Sequence, residues 1–233
     1  MFKLALNAGH WLGEPGKRFF KALDPNETRE WVVNNRICTL VEKKLEAYEG
    51  YELLRIDDPT GNTDVPLDRR TSKANTWNAD FYLSVHHNAG VYGGAGGGIM
   101  AYVYTSVDNT TRAWQKDLYE ALVEETGLRG NRATPLASAN PFECRKTSMP
   151  CVLLELGFMD STTDVPIILS ETYAEQCANA IVKVIVKRAG LKKKSNSTEV
   201  YESEIKKLKA ELQILDNKIN KIKEILLQIL NNY

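Results

Sequence analysis

The chain has 233 residues, enough for one medium domain with an appendage and a sizeable core. Its 30 basic and 30 acidic side chains cancel, which argues against the basic surplus of a nucleic-acid-binding protein. With 43% hydrophobic residues it reads as globular, and no run of about 18 apolar residues offers a membrane span.

The opening M-F-K-L-A-L-N-A-G-H lacks a long apolar stretch and a small-residue cleavage site. It reads as a buried strand over 2–8, not as a secretory signal. A loop follows, marked by Gly13, Pro15, Gly16 and the turn signal Asp24-Pro25-Asn26. From about 28 to 48, Val33, Ile37, Leu40, Val41, Leu45 and Tyr48 recur at steps of three and four and predict a helix. Tyr51 to Ile56 predicts a second strand, and 66–79 a second helix carrying Leu67, Arg70, Ala74 and Trp77 on one side. Asp80 to Val85 predicts a third strand, which ends in the pair His86-His87.

The run Y-G-G-A-G-G-G lacks the G-K-[ST] of a phosphate-binding loop and reads as a flexible surface loop before a fourth strand, 99–104. A helix over 110–126, an irregular stretch, a fifth strand over 151–156 and two helices near 163–169 and 171–189 complete the pattern. The four cysteines show no C-x-x-C spacing and read as buried or idle thiols.

Strands alternating with helices predict an α/β fold: a twisted, mostly parallel sheet with helices on both faces. Sites in such sheets collect at the carboxyl ends of strands. His10 stands at the end of the first strand, His86 at the end of the third, and Glu155 near the end of the fifth. The chain holds three histidines in all. Neighbours on a strand point to opposite faces, so His86 and His87 do not readily share an ion. A hydrolytic metal site built here therefore takes a carboxylate as its third ligand. Asp24, Glu27 and Glu30 are the candidates before or at the first helix. Glu30 is in phase with Val33 and Ile37 and is favoured, with Glu27 one turn earlier as the alternative.

The segments A-G-H, E-W-V-V-N, R-T-S-K-A-N, D-F-Y-L-S-V-H-H-N-A and P-C-V-L-L-E-L-G-F-M-D, in this order over about residues 1–190, resemble the zinc-dependent N-acetylmuramoyl-L-alanine amidases of the Amidase_3 family. The resemblance implies one zinc ion on His10, Glu30 and His86, and Glu155 as the catalytic glutamate. It places Arg70 (with Asn75) and Asn88 at supporting or substrate-binding positions. It implies peptidoglycan as the partner and hydrolysis of the amide between the lactyl group of N-acetylmuramic acid and L-alanine. Two departures stand out: G-H-W-L-G-E-P-G where the family shows G-H-G-G-x-D-x-G, and His87 where a small residue is usual. His87 is expected to pack on the far face of its strand or to support the site from behind.

After the catalytic domain, 1–190, the polar stretch 191–199 reads as a linker and 200–233 as a C-terminal helix. Positions 205, 208, 212, 215, 219, 222, 226 and 229 are all Ile or Leu at alternating steps of three and four, the seam of a coiled coil. Ile225 and Leu230 widen it. The expectation is a homo-oligomer. Without a signal peptide of its own, the chain is expected to be made in the cytoplasm and to reach the wall after holin release, as a phage endolysin does. A host autolysin or mother-cell lysin of the same chemistry is the alternative, and a non-catalytic wall-binding oligomer a more remote one.

Overall fold

The computed structural model describes residues 1–131, 134–194 and 197–230. Two units emerge, Met1–Lys192 and Lys193–Tyr233. The first carries β1 (Phe2–Ala8), α1 (Glu30–Leu45), β2 (Tyr48–Glu49), β3 (Tyr51–Arg55), α2 (Leu67–Thr76), β4 (Phe81–Asn88) and β5 (Ile99–Tyr104). It continues with α3 (Asn109–Thr126), β6 (Leu136–Ala139), α4 (Phe142–Lys146), β7 (Cys151–Phe158), α5 (Val165–Ile168) and α6 (Glu171–Ala189). A two-residue strand, β8 (Lys192–Lys193), precedes α7 (Ser197–Leu230).

Six strands form one sheet in the order β3-β1-β4-β7-β5-β6. β1 pairs parallel with β3 and β4, and β4 pairs parallel with β7. β5 runs antiparallel to β7 and carries β6 parallel to itself. The sheet is thus mostly parallel, as the alternation of elements predicts. The reversal at β5 has a simple cause. The link from Asn88 to Ile99 is about ten residues and contains no helix, too short to return across the sheet for another parallel strand.

Alternation along the central strands separates two faces. Leu4, Leu6, Leu83, Val85, Val152 and Leu154 belong to the main core with residues of α1, α3 and α6, such as Ile37, Val41, Leu118 and Ile181. The intervening Ala5, Tyr82 and Cys151 belong to a smaller cluster with Ala74 of α2 and Cys144 of α4. That second face also carries polar residues in the same phase: Asn7, Ser84, His86 and Glu155. All four cysteines are buried free thiols.

Two expectations need correction, and a third gains detail. The first helix starts at Glu30 and ends at Leu45, leaving Tyr48 in β2. The glycine-rich run 92–98 is a surface loop, as read, and it is tied at both ends: the Asp160 carboxylate accepts from the Tyr92 N–H, as it does from those of Gly90 and Val91 just before it, and Asp164 accepts from that of Gly98. The irregular stretch before β7 contains β6 and α4, elements of four and five residues that are too short to show a period; its Arg132 and Ala133 lie outside the described residues.

α7 is one helix of 34 residues whose Ile205, Leu208, Leu212, Leu215, Ile219, Ile222 and Leu226 are exposed. The side chains of Ile229 and Leu230, residues 195–196 of the expected linker, and residues 231–233 lie outside the described residues. No helix among the described residues is long and apolar enough to cross a membrane.

Candidate metal centre

Strand β1 ends at Ala8, and the chain turns at Gly9-His10. His10 has φ +66°, a conformation that non-glycine residues occupy only when their surroundings hold them there. Arg70 does the holding. Its guanidinium donates to Asn7 Oδ1 at 2.8 Å, to the Ala8 carbonyl at 3.3 Å and to the His10 carbonyl at 3.2 Å. Gly9 is required for space: a Cβ there would lie 2.1 Å from the ring of His86.

Glu30 is fully buried and opens α1, with its N–H on the Lys17 carbonyl at 3.1 Å. Its carboxylate stands between the two imidazoles. His10 Nε2 lies 3.2 Å from Glu30 Oε2, and His86 Nδ1 lies 3.2 Å from Glu30 Oε1. The rings meet edge to face, with centroids 4.9 Å apart. One ligand atom from each of His10, Glu30 and His86 falls within 4.8 Å of the others. Glu27 is elsewhere, with its carboxylate paired to Arg18 at 3.3 Å and to Lys21 at 3.7 Å. Asp24 holds the turn before the helix by accepting from the N–H groups of Asn26 and Thr28.

β4 runs through both histidines, and its register against β7 slips between His86 and Asn88. Such a slip re-aims side chains locally. His86 is the register partner of Glu155. His87 points to the opposite face, is 2% exposed, and its Nδ1 lies 2.7 Å from Asn34 Oδ1. The Asn34 amide donates to the Gly9 carbonyl and to Glu30 Oε1, so Asn34 Oδ1 is the acceptor and His87 Nδ1 carries the proton. The His87 backbone N–H also donates to Glu30 Oε1 at 3.1 Å. Asn88 accepts from the Ala89 N–H and lines a cleft with Lys17, Arg18 and Glu155. A second cleft, lined by Glu14, Asp64, Arg70 and Phe142, also reaches His10 and His86.

Electrostatics follow from this crowding. Burial alone would raise the Glu30 carboxyl, yet the two imidazoles hold it well below its ordinary value. Burial works to lower His86, but the carboxylates of Glu143 and Glu30 overcome it and lift its pKa to about 10. Burial pushes His87 down to about 4, so it is a neutral imidazole at pH 7. Burial pushes Glu155 up to about 8, against the opposing charge of His86.

Sequence reasoning missed one residue here. Glu143, on α4, is 3% exposed and sits beneath His86 among Asn7, Tyr82 and Ser84. Nothing in its surroundings in the chain flags it. Its partners do leave a trace: Tyr82, Ser84 and His86 alternate with the apolar Leu83 and Val85, a polar line on one face of a central strand.

These residues suit a divalent cation. Two imidazoles and one carboxylate are the donor set of a hydrolytic zinc site, with a position left for water. Glu30 Oε2 and Glu155 Oε2 are buried without a hydrogen-bond partner among the described residues, although both are acceptors. Glu30, Glu143 and Glu155 gather three carboxyl groups around His86, and a dication could take the place of the proton that they hold on that ring.

Comparison with known proteins gives a concordant result. The family model Amidase_3, described as N-acetylmuramoyl-L-alanine amidase, matches residues 4–187. The chain is 28% identical over 200 residues to a sporulation-specific N-acetylmuramoyl-L-alanine amidase of Bacillus subtilis, covering 84% of this chain and 72% of that protein. It is 33% identical over 129 residues to an endolysin of Bacillus phage SPP1, covering 55% of this chain and 47% of the endolysin. Among solved structures, the catalytic domain of CwlV, an N-acetylmuramoyl-L-alanine amidase from Bacillus (Paenibacillus) polymyxa, superposes with a TM-score of 0.72 at 22% identity, covering 82% of this chain and all (100%) of that one.

Proposed function

This chain belongs to the Amidase_3 family of N-acetylmuramoyl-L-alanine amidases, and from that premise we propose that it hydrolyses the amide joining the lactyl group of N-acetylmuramic acid to L-alanine in peptidoglycan. The observation that carries the reading is the convergence of His10, Glu30 and His86 beside Glu155. In this reading the three residues hold one zinc ion, which supplies Lewis acidity to polarise the scissile carbonyl and to lower the pKa of water.

The chain's own residues do the rest. Glu155 takes a proton from the attacking water and returns one to the leaving amine of L-alanine. Burial lifts the Glu155 carboxyl in the metal-free protein, and a dication held by its neighbours would draw it back toward the carboxylate that a base requires. Arg70 holds the strained turn that aims His10. Asn34 and the His87 N–H fix the Glu30 carboxylate from behind. Lys17, with Nζ 4.0 Å from Glu30 Oε2, adds positive charge to the wall of the cleft that Glu155 shares.

The phage relative supports a role as an endolysin that acts on the bacterial wall after holin release. The sporulation-specific relative supports the second reading, a host or mother-cell lysin of the same chemistry. The periodic apolar line on α7 supports self-association, which would bring several catalytic heads to one polymeric substrate.

Digestion of purified peptidoglycan tests the central reading. Newly freed L-alanine amino groups are expected, and a chelator should abolish them. Release of reducing ends instead would make the protein a glycosidase.

A further inference from the structure

Glu143 is a buried carboxylate that the mechanism above does not use. Its Oε1 accepts from Asn7 Nδ2 at 2.8 Å and from the Tyr82 hydroxyl. Its Oε2 accepts from the Ser84 hydroxyl at 3.2 Å and faces His86 Nε2 at 3.9 Å. Asn7 is itself oriented by Arg70, which donates to Asn7 Oδ1 and so turns the amide toward Glu143. Among the described residues, His86 is the one basic side chain within ion-pair distance of Glu143. Three neutral donors do not balance a carboxylate taken out of water; the charge of Arg70, which stands behind Asn7, acts on it from farther off, and His86 is the basic group that faces it directly.

The His86 ring supplies the complementary fact. Its two nitrogens look in different directions. Nδ1 faces Glu30 Oε1 at 3.2 Å, on the side where His10 and Glu30 meet. Nε2 is buried and has no hydrogen-bond partner within range among the described residues. A ring that gives Nδ1 to an ion must carry its proton on Nε2, and Glu143 Oε2 is the carboxylate oxygen that faces this atom.

We propose that Glu143 is a positioning residue for the metal-binding imidazole: it takes the Nε2–H of His86 and thereby leaves Nδ1 as the lone-pair donor to the ion. This rests on the zinc amidase reading above. Glu143 does not touch the substrate or the reacting atoms in this role. It sets the tautomer and the angle of a ligand, from an element of five residues opposite the helix that provides Glu30. A plain packing role would need only the hydrogen bonds to Asn7, Tyr82 and Ser84, and a neutral amide of the same shape could make those.

The test uses the full chain and zinc alone. Zinc affinity is measured by competition with a colorimetric chelator for the wild type and for Glu143→Gln, with circular dichroism to verify the fold. A folded Glu143→Gln protein that binds zinc about 10–100-fold more weakly is expected; unchanged affinity overturns the proposal. Histidine nitrogen NMR of the zinc-loaded wild type reads the tautomer directly and needs no variant to fold. His86 should show a protonated Nε2 and a metal-bound Nδ1. The opposite pattern overturns the proposal even while the enzyme works. A wild-type chain that binds no zinc would instead remove the functional reading on which the proposal stands.

Discussion

His86 and Glu155 are register partners on adjacent parallel strands, β4 and β7. Side chains so paired share a face of the sheet, and the strands are about 4.8 Å apart. The backbone ladder thus fixes a metal-site residue and a candidate base relative to each other, without dependence on loop geometry. Glu155→Gln should lower turnover on peptidoglycan by about 10²–10⁴-fold, while zinc content stays at the wild-type level by metal analysis. Loss of zinc in that variant would make Glu155 a ligand.

Zinc loading should expel a proton. In the metal-free protein the carboxylates of Glu143 and Glu30, overcoming burial, keep His86 protonated up to about pH 10. An ion can take Nδ1 only after that proton leaves, so binding at neutral pH releases at least one proton, with a further share from Glu155, and weakens at least about tenfold for each pH unit lowered. Titration calorimetry in buffers of different ionisation enthalpy measures the release directly.

Gly9→Ala should damage the site without touching a ligand. The new methyl carbon would lie 2.1 Å from the His86 ring, and a strand-borne imidazole cannot yield that much without leaving Glu30. Zinc affinity is expected to fall by about 100-fold or more, the scale set by loss of ligand orientation. A wild-type affinity in the chelator competition would show that the ring has room to move.

His87 should make the metal-free protein acid-sensitive. Its folded pKa is depressed to about 4, chiefly by burial, against an ordinary value of 6.5. Between those values the unfolded chain holds a proton that the native state does not. Stability therefore falls as pH drops from about 6.5 to about 4, by up to about 3 kcal/mol. His87→Gln should flatten this slope in urea unfolding curves recorded at several pH values. An unchanged slope would assign the acid sensitivity to other groups.

The tail offers a separate test. Leu212→Lys together with Ile219→Lys places two charges on the exposed apolar line of α7. Sedimentation should show an oligomer for the wild type at micromolar concentration and a monomer for the double variant. Activity on small soluble muropeptides should be equal, and activity on whole walls about tenfold or more lower in the variant. A monomeric wild type would end the self-association reading.

Much of this was legible along the chain. Short apolar runs located the five long strands, which are largely buried on both faces, and period-three-to-four patterns located the principal helices, which bury one apolar stripe. The phase of Glu30 with Val33 and Ile37 put it on the buried side of α1, where the structure has it. β6 and α4 were not legible, since four or five residues carry no measurable period. Glu143 was lost with α4.

Periodicity and residue type alone therefore determined the α/β order, the histidine at each of two strand ends and the helix that brings a carboxylate to them. Only the tertiary structure decided which nitrogen faces which oxygen, that Glu155 stands beside His86, and that Glu143 closes the far side of the ring. The reason is physical. Local patterns record which face of an element avoids water, whereas the partners of a buried polar atom come from strands and helices up to 136 residues away in sequence, as Asn7 and Glu143 do.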